Sequence, residues 1–325
     1  MERSVSPLYR PDLNTLSLPE FADFLRQSGQ TKRVLELAYD EDLGEHVQDW
    51  TGELMFGPDD QRSVQMCARE SGIVSGIEFL SDLVEVFSQP GEIEYAAKLN
   101  DGDRIDPGTV LATFSGNARA IVALERTMLN LISRLSGIAS RTNEFVQLVD
   151  STHAKICDTR KTTPGLRAFE KYAVRCGGGA THRLGLYDAV LIKDNHLAGV
   201  SCENLATKIE SVAYKIDNHA TKLWFVQVEV DTLDQLKQVL GVDAGVVDIV
   251  LLDNMTIQEL VQAVTMRDES SAGSGSGSNS GLLLEASGGV SQATVSAIAC
   301  TGVDRISIGG LTHQAQSLDI GLDSV

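Results

Sequence analysis

The chain has 325 residues, 42% of them hydrophobic and 22% charged, which is the balance of an ordinary globular protein with room for one large barrel or two domains. Its formal net charge of -18 argues against a nucleic-acid or anionic-membrane surface, because both need a basic face. Five cysteines (67, 157, 176, 202 and 300) show no CxxC spacing, so neither a disulfide framework nor a zinc site is indicated. The N-terminal "MERSVSPLYRPDL" lacks an apolar signal core and no apolar run reaches membrane length, so a cytoplasmic protein is expected.

In chain order, "TKRVLELAYDEDLG" has helical periodicity, and residues 62–69 alternate as a strand would, with Val64, Met66 and Ala68 on one side. Residues 71–87 read as a turn followed by a helix. "IEYAAKLNDGDRIDPGTVLATFSG" reads as two strands around a compact loop, with Asp-Gly and Pro-Gly as turn signals. Residues 118–136 carry apolar side chains at helical spacing and are expected to bridge two domains.

From residue 153 a regular alternation begins. The short apolar runs "AKICDTRK", "DAVLIKDN", "LWFVQVEV", "VDIVLLDN", "LLLEASGG" and "DRISIGG" are separated by helical stretches, the pattern of βαβ units and a parallel sheet. Ile138 or the C-terminal tail is available for a further strand. These runs end on reactive residues: Arg160 and Lys161, Lys193 and Asn195, Glu229, Asp253 and Asn254, Glu285 and Ser287, Ser307 and Gly309. Active sites of β/α barrels sit at the C-terminal ends of their strands, so a barrel is favoured over an open doubly wound sheet. The low-complexity "AGSGSGSNSG" (272–281) reads as a surface insertion.

Charge is unevenly placed. Between Asp158 and His196 seven Lys/Arg face four Asp/Glu, so this window is +3 and the remainder of the chain is -21. A basic cluster in an acidic protein suits a small anionic substrate. Arg supplies a planar fork for carboxylate or phosphate and Lys a mobile point charge. Arg160, Lys161 and Lys193 at strand ends, with His182 and Arg183 after "CGGG", are candidates for a multiply charged anion. Arg167, Lys171 and Arg175 are expected to cover a helix face, with Glu170 pairing locally. "EASGG" and "SIGG" follow the last two strands, where Gly-rich turns bind phosphate through backbone N–H groups. Glu229 and Asp253 form a carboxylate pair for Mg²⁺ or sugar hydroxyls, or ion-pair with the lysines. His313 is placed near the site, and His46, His153 and His219 on the surface.

The run "DTRKTTPGLRAFEKYAVRCGGGATHRLGLYDAVLIKDNH" resembles the central signature of the quinolinate phosphoribosyltransferase family. "ERTMLNLISRLSGIAS", "VEVDTL", "VLLDNM", "LEASGG" and "ISIGGLTH" resemble it too, so the resemblance covers roughly residues 35 to 320. It implies an N-terminal α/β sandwich domain (31–136) after an extension (1–30), then an incomplete, TIM-like β/α barrel (137–312). A C-terminal segment (313–325) returns towards the first domain. The implied reaction joins quinolinate to 5-phosphoribosyl-1-pyrophosphate with loss of pyrophosphate and carbon dioxide, within a homodimer that shares active sites.

Carried over by position, Arg126 of one subunit reaches the other's quinolinate, and Arg160, His182 and Arg183 bind its carboxylates. Lys161 and Lys193 serve both substrates and, with Glu229 and Asp253, are the catalytic set. Glu229 and Asp253 face the ribose and Mg²⁺, possibly through water, and no organic cofactor is implied. Ser287, Gly288 and Gly309 hold the 5-phosphate with His313 close by. The alternatives are a molybdenum-transport-associated relative of the same fold and a Schiff-base lyase using Lys161 or Lys193.

Overall fold

The computed structural model describes residues 12–217, 223–273 and 281–325. His219 and most of the Gly/Ser insertion lie outside the described residues. Two compact units are formed: one from Leu16–Asn143, Lys161–Gly179 and Gly309–Val325, the other from residues 12–15, Glu144–Arg160 and Ala180–Ile308.

The first unit opens with α1 (Leu18–Gln27). Ser17 caps it in a reciprocal box: its hydroxyl accepts from the Glu20 amide, and the Glu20 carboxylate accepts from the Ser17 amide at 2.8 Å. α2 (Gln30–Leu43) and α3 (Trp50–Met55) follow, then β1 (Gln61–Ala68), β2 (Gly72–Ile73), α4 (Leu80–Phe87), β3 (Ile93–Ala97), β4 (Arg104–Ile105) and β5 (Val110–Asn117). On β1 the alternation is realised, with Val64, Met66 and Ala68 buried. β3 and β5 pair antiparallel, and the loop between them carries β4, which pairs with β2. Asp101 in that loop is an anchor as well as a turn residue. It accepts from the amides of Ile77 and Glu78 and from the Tyr172 hydroxyl at 2.8 Å, and burial pushes its pKa up.

α5 (Ala118–Val149) is far longer than the bridge expected from residues 118–136. Ile138 is fully buried on this helix, so no strand forms there: the apolar period of 3.6 continues past Ser136 without a breaker. The C-terminal tail does hold a strand, β12 (Ile320–Ser324), but it joins the antiparallel sheet in the order β12-β1-β5-β3.

Also in this unit is α6 (Arg167–Cys176), against which α1 docks. Phe21 meets Tyr172 with ring centroids 6.0 Å apart, and Arg175 lies over the Phe21 ring and donates to the Leu16 carbonyl. Complete burial of Phe21 contributes about 2–3 kcal/mol. α1 thus reaches the packed core through Phe21, Ala22 and Leu25. Lys171, expected on a solvent face, is fully buried, because nearly every position of α6 is covered.

The second unit is built on six parallel strands: β6 (Lys155–Cys157), β7 (Val190–Ile192), β8 (Val226–Val230), β9 (Ile249–Asp253), β10 (Leu283–Ser287) and β11 (Arg305–Ser307). α7 (Leu205–Asp217), α8 (Leu233–Leu240), α9 (Ile257–Gly273) and α10 (Val295–Ala299) connect them, and α11 (Gly310–His313) follows β11 in the first unit. The order β6-β11-β10-β9-β8-β7 is chain order taken round a circle, with a single seam between first and second strands. A doubly wound sheet starts in its middle; this sheet is an incomplete barrel. At the seam, Ala180 forms one parallel bridge to Cys157 on the free edge of β6.

β12 covers the outer edge of β1 over five residue pairs, so truncation after Leu318 will lower the melting temperature, by roughly 2–4 °C per kcal/mol lost. An unchanged thermal melt would show that the strand is dispensable.

Candidate active site

Along a strand alternate side chains share a face. Gln227 and Glu229 on β8, Glu285 and Ser287 on β10, and Arg305 and Ser307 on β11 therefore form a polar face, while Val228, Leu284, Ala286 and Ile306 fill the opposite, apolar one. The register places Glu285 beside Arg305, and Ser287 between Ser307 and Asp253. Glu285, expected at a strand end, sits in mid-strand and is completely buried. There its carboxylate takes the Arg305 Nε–H at 2.7 Å.

The cations Arg160 and Arg183 approach each other in this unit. Arg183 is buried; its guanidinium donates to the Ala189 carbonyl at 3.2 Å, and its Nε has no partner among the described residues. Burial and the neighbouring Arg160 both lower its pKa, with Asp188 pulling the other way. The loop carrying Arg183 is tied by two fully buried acids. Asp158 accepts the His182 amide at 2.8 Å, and Asp188 accepts the amides of Leu184 and Gly185 at 2.6 and 3.0 Å. The His182 ring is buried too, 2.6 Å from Gln227 Oε1 through Nε2, while its Nδ1 accepts the Arg183 amide at 2.8 Å.

Lys193 just past β7 and Glu229 on β8 form an ion pair of 2.5 Å. Asp253 ends β9, and its carboxylate accepts from the Asn254 side chain at 2.7 Å. The Asn254 amide donates to the Ser287 carbonyl, which draws the β9 end to the "SGG" turn. Gly288 at that turn has φ +90°, and a Cβ there would lie 2.1 Å from Asn254 Oδ1, so only glycine fits. At the opposite, N-terminal ends of the strands is a cavity of about 440 Å³ lined by Asn14, Thr181, Trp224, Asp248 and Arg305 among others. None of the expected site residues lines it.

The other expected residues belong to the first unit. Lys161 is exposed, and its stem crosses Gly309: a Cβ on Gly309 would meet Lys161 Cδ at 2.6 Å and His313 Cε1 at 3.4 Å. His313 Nδ1 donates to the Gly309 carbonyl at 2.7 Å. Arg126 projects from α5 with its side chain 67% exposed, 3.8 Å from Glu125.

Sequence reading missed how Lys161 is placed. Glu170 finds its partners beyond its own helix. Fully buried, it takes Arg134 at 2.9 Å and both the amide and the hydroxyl of Thr163. Arg134 also donates to the carbonyls of Thr312 and Ala315, and the Thr312 hydroxyl donates to the Lys161 carbonyl at 2.6 Å. One buried ion pair thus joins the Lys161 loop to the turn holding Gly309 and His313. "ERTMLNLISR" gave no signal beyond helical period, since Arg134 reads as one more polar position.

Residues 49–136 match the family model "Quinolinate phosphoribosyl transferase, N-terminal domain", and residues 138–323 match its C-terminal domain. The chain belongs to the quinolinate phosphoribosyl transferase family. It is 42% identical over 260 residues to the nicotinate-nucleotide pyrophosphorylase [carboxylating] of Mycobacterium leprae, covering 79% of this chain and 84% of that one. It is 36% identical over 297 residues to the probable enzyme of that name from Bacillus subtilis, with 90% and 93% covered. Among solved structures, the nicotinate-nucleotide pyrophosphorylase of Ehrlichia chaffeensis superposes with a TM-score of 0.78 at 35% identity, covering 90% of this chain and 98% of that one. That of Francisella tularensis gives 0.75 at 32%, with 97% and 99% covered. The family's two-domain order, N-terminal domain before C-terminal domain, agrees with the four-stranded antiparallel and six-stranded parallel sheets found here.

Lys161 has a flexible stem, so the fold will tolerate Gly309→Ala while the amine is displaced. The expected outcome is a fall in kcat/KM of roughly tenfold or more with the melting temperature nearly unchanged. Unaltered kinetics would show that the position of Lys161 is immaterial.

Proposed function

We propose that this chain transfers the phosphoribosyl group of 5-phosphoribosyl-1-pyrophosphate to quinolinate in NAD biosynthesis, forming nicotinate mononucleotide and releasing pyrophosphate and carbon dioxide. Membership of the family and the names of its relatives support this reaction. The observation that carries the substrate assignment is the Arg160–Arg183 pair: two like charges, one buried with an unpartnered Nε, suit an anion with two carboxylates.

In this reading Arg160 and Arg183 hold the quinolinate carboxylates, with His182 in the same loop and Lys193 beside Glu229. Ser287, Gly288 and the backbone of their turn take the 5-phosphate. Lys161, Gly309 and His313 supply a further anion-binding element, Lys161 as a mobile charge towards either substrate. Departure of pyrophosphate leaves positive charge on the ribose carbon, which the carboxylates of Glu229 and Asp253 stabilise electrostatically. The pyridine nitrogen attacks that carbon. Its new positive charge stabilises the electron pair that stays on the adjacent ring carbon when the carboxylate there leaves as carbon dioxide, and that pair then takes a proton from water. Arg160 and Arg183 keep the ring in place throughout.

No group of three or more metal-ligating side chains occurs among the described residues. Glu229 and Asp253 at neighbouring strand ends fit instead a cation bound mainly by the substrate's own oxygens, as Mg²⁺ prefers. Bound there, directly or through water, Mg²⁺ would neutralise charge on the leaving pyrophosphate. A homodimer in which Arg126 enters the other subunit's site fits the exposure of that side chain. The Schiff-base alternative through Lys193 is disfavoured because that amine is ion-paired with Glu229, whereas an amine nucleophile must be uncharged.

Incubation with quinolinate, 5-phosphoribosyl-1-pyrophosphate and Mg²⁺ will yield nicotinate mononucleotide and carbon dioxide in equal amounts, and nicotinate in place of quinolinate will yield little. Equal turnover of nicotinate would overturn the dianion assignment. Arg160→Ala will raise KM for quinolinate roughly 10- to 100-fold and change that for the phosphoribosyl donor less than about threefold. Equal losses for both substrates would refute the role of Arg160.

A further inference from the structure

Gln227 stands two residues before Glu229 on the same face of β8, fully buried. Its Oε1 lies 2.6 Å from His182 Nε2, and its own Nε2 has no partner among the described residues. An amide carbonyl only accepts, so His182 Nε2 carries a proton. The backbone amide of Arg183 only donates, so His182 Nδ1 at 2.8 Å from it carries none. The ring is therefore the neutral Nε2–H tautomer, and both of its nitrogens are engaged inside the barrel unit.

A second acceptor lies behind it. Glu285 Oε1 is 3.6 Å from the same Nε2, on a carboxylate whose other oxygen is bonded to Arg305. Burial pushes the Glu285 pKa up, the charge and hydrogen bond of Arg305 pull it down, and the net shift is downward. Burial likewise opposes the charge on Arg305, and Cys157, Glu285 and Asp158 outweigh burial there. The edge-on ring of Phe225, 5.2 Å from His182, fixes the imidazole plane.

We propose that Gln227 is a positioning residue for quinolinate: it holds His182 as the Nε2–H tautomer, so that Nδ1 stays the acceptor for the Arg183 amide. Glu285, itself set by Arg305, supports the same orientation. If the proton moved to Nδ1, that N–H would oppose the Arg183 N–H, and the start of the loop bearing the guanidinium would be pushed off the Asp158 anchor. Gln227 reaches this loop only through His182 and touches no substrate. The effect should fall on the diacid and not on the phosphoribosyl donor.

The proposal rests on the quinolinate reading of the Arg160–Arg183 pair, and its test separates the two. In ¹⁵N-histidine-labelled wild-type protein without substrate, long-range ¹H–¹⁵N correlation near neutral pH will show His182 with a protonated Nε2 and a bare Nδ1. Gln227→Leu removes the acceptor without introducing charge. In that variant the single-tautomer signature will be lost, and KM for quinolinate will rise roughly tenfold while KM for the phosphoribosyl donor moves less than about threefold. A wild-type ring protonated at Nδ1, or doubly protonated, overturns the proposal whether or not the variant folds. So does a Gln227→Leu enzyme whose two KM values are unchanged or rise together, since a purely structural role predicts no split.

Discussion

The site depends on holding two guanidinium groups, Arg160 and Arg183, near each other in a place that water only partly reaches. Such an arrangement is unfavourable in isolation, because burial and like charge both act against the cationic form of Arg183. It persists because the protein over-determines it. Asp158 and Asp188, both fully buried, anchor the backbone amides of His182, Leu184 and Gly185 on either side of Arg183, and Asp188 also offsets its charge. The Arg183 Nε, buried and without a partner among the described residues, is left facing its neighbour's like charge.

The barrel unit supplies the setting. Its parallel strands leave a seam at β6, where Ala180 alone bridges to Cys157, and the loop bearing His182 and Arg183 starts from that edge. Polar side chains on one face of β8, β10 and β11 support the loop from within, while Glu229, Asp253 and Ser287 end their strands. In the other unit the Arg134–Glu170 pair does comparable work for Lys161, Gly309 and His313. Breaking a buried pair of this kind by removing one partner typically costs about 3–5 kcal/mol, since the other charge is left without compensation.

Much of this was legible in the sequence. The six short β-branched runs are the six strands of the barrel, because each is an apolar run closed by polar or glycine residues. The identity of the anion came from the resemblance and not from the spacing. Other features needed tertiary context. Ile138 lies in helix because nothing in the sequence stops α5, and Lys171 is buried because α6 is covered on nearly all sides. Glu170 finds its partner 36 positions away, which no local pairing rule detects. Gln227, Glu285 and Arg305 are different: each stands two residues before a residue on the same strand face. A strict period-2 reading of "FVQVEV", "LLEAS" and "RIS" would have shown an inward polar layer. Asp158 opens the basic window and Asp188 lies within it, yet their role in fixing backbone amides is invisible without the loop's path.

The central claim is that the Arg160–Arg183 pair exists for two carboxylates on one ring. Calorimetric titration of the wild-type protein with quinolinate, and separately with nicotinate and with pyridine-2-carboxylate, tests it most directly. The account predicts that each monocarboxylate binds at least about 30-fold more weakly than the diacid, as expected when one charged hydrogen-bonding contact is lost. Affinities for all three within about threefold of one another would contradict it.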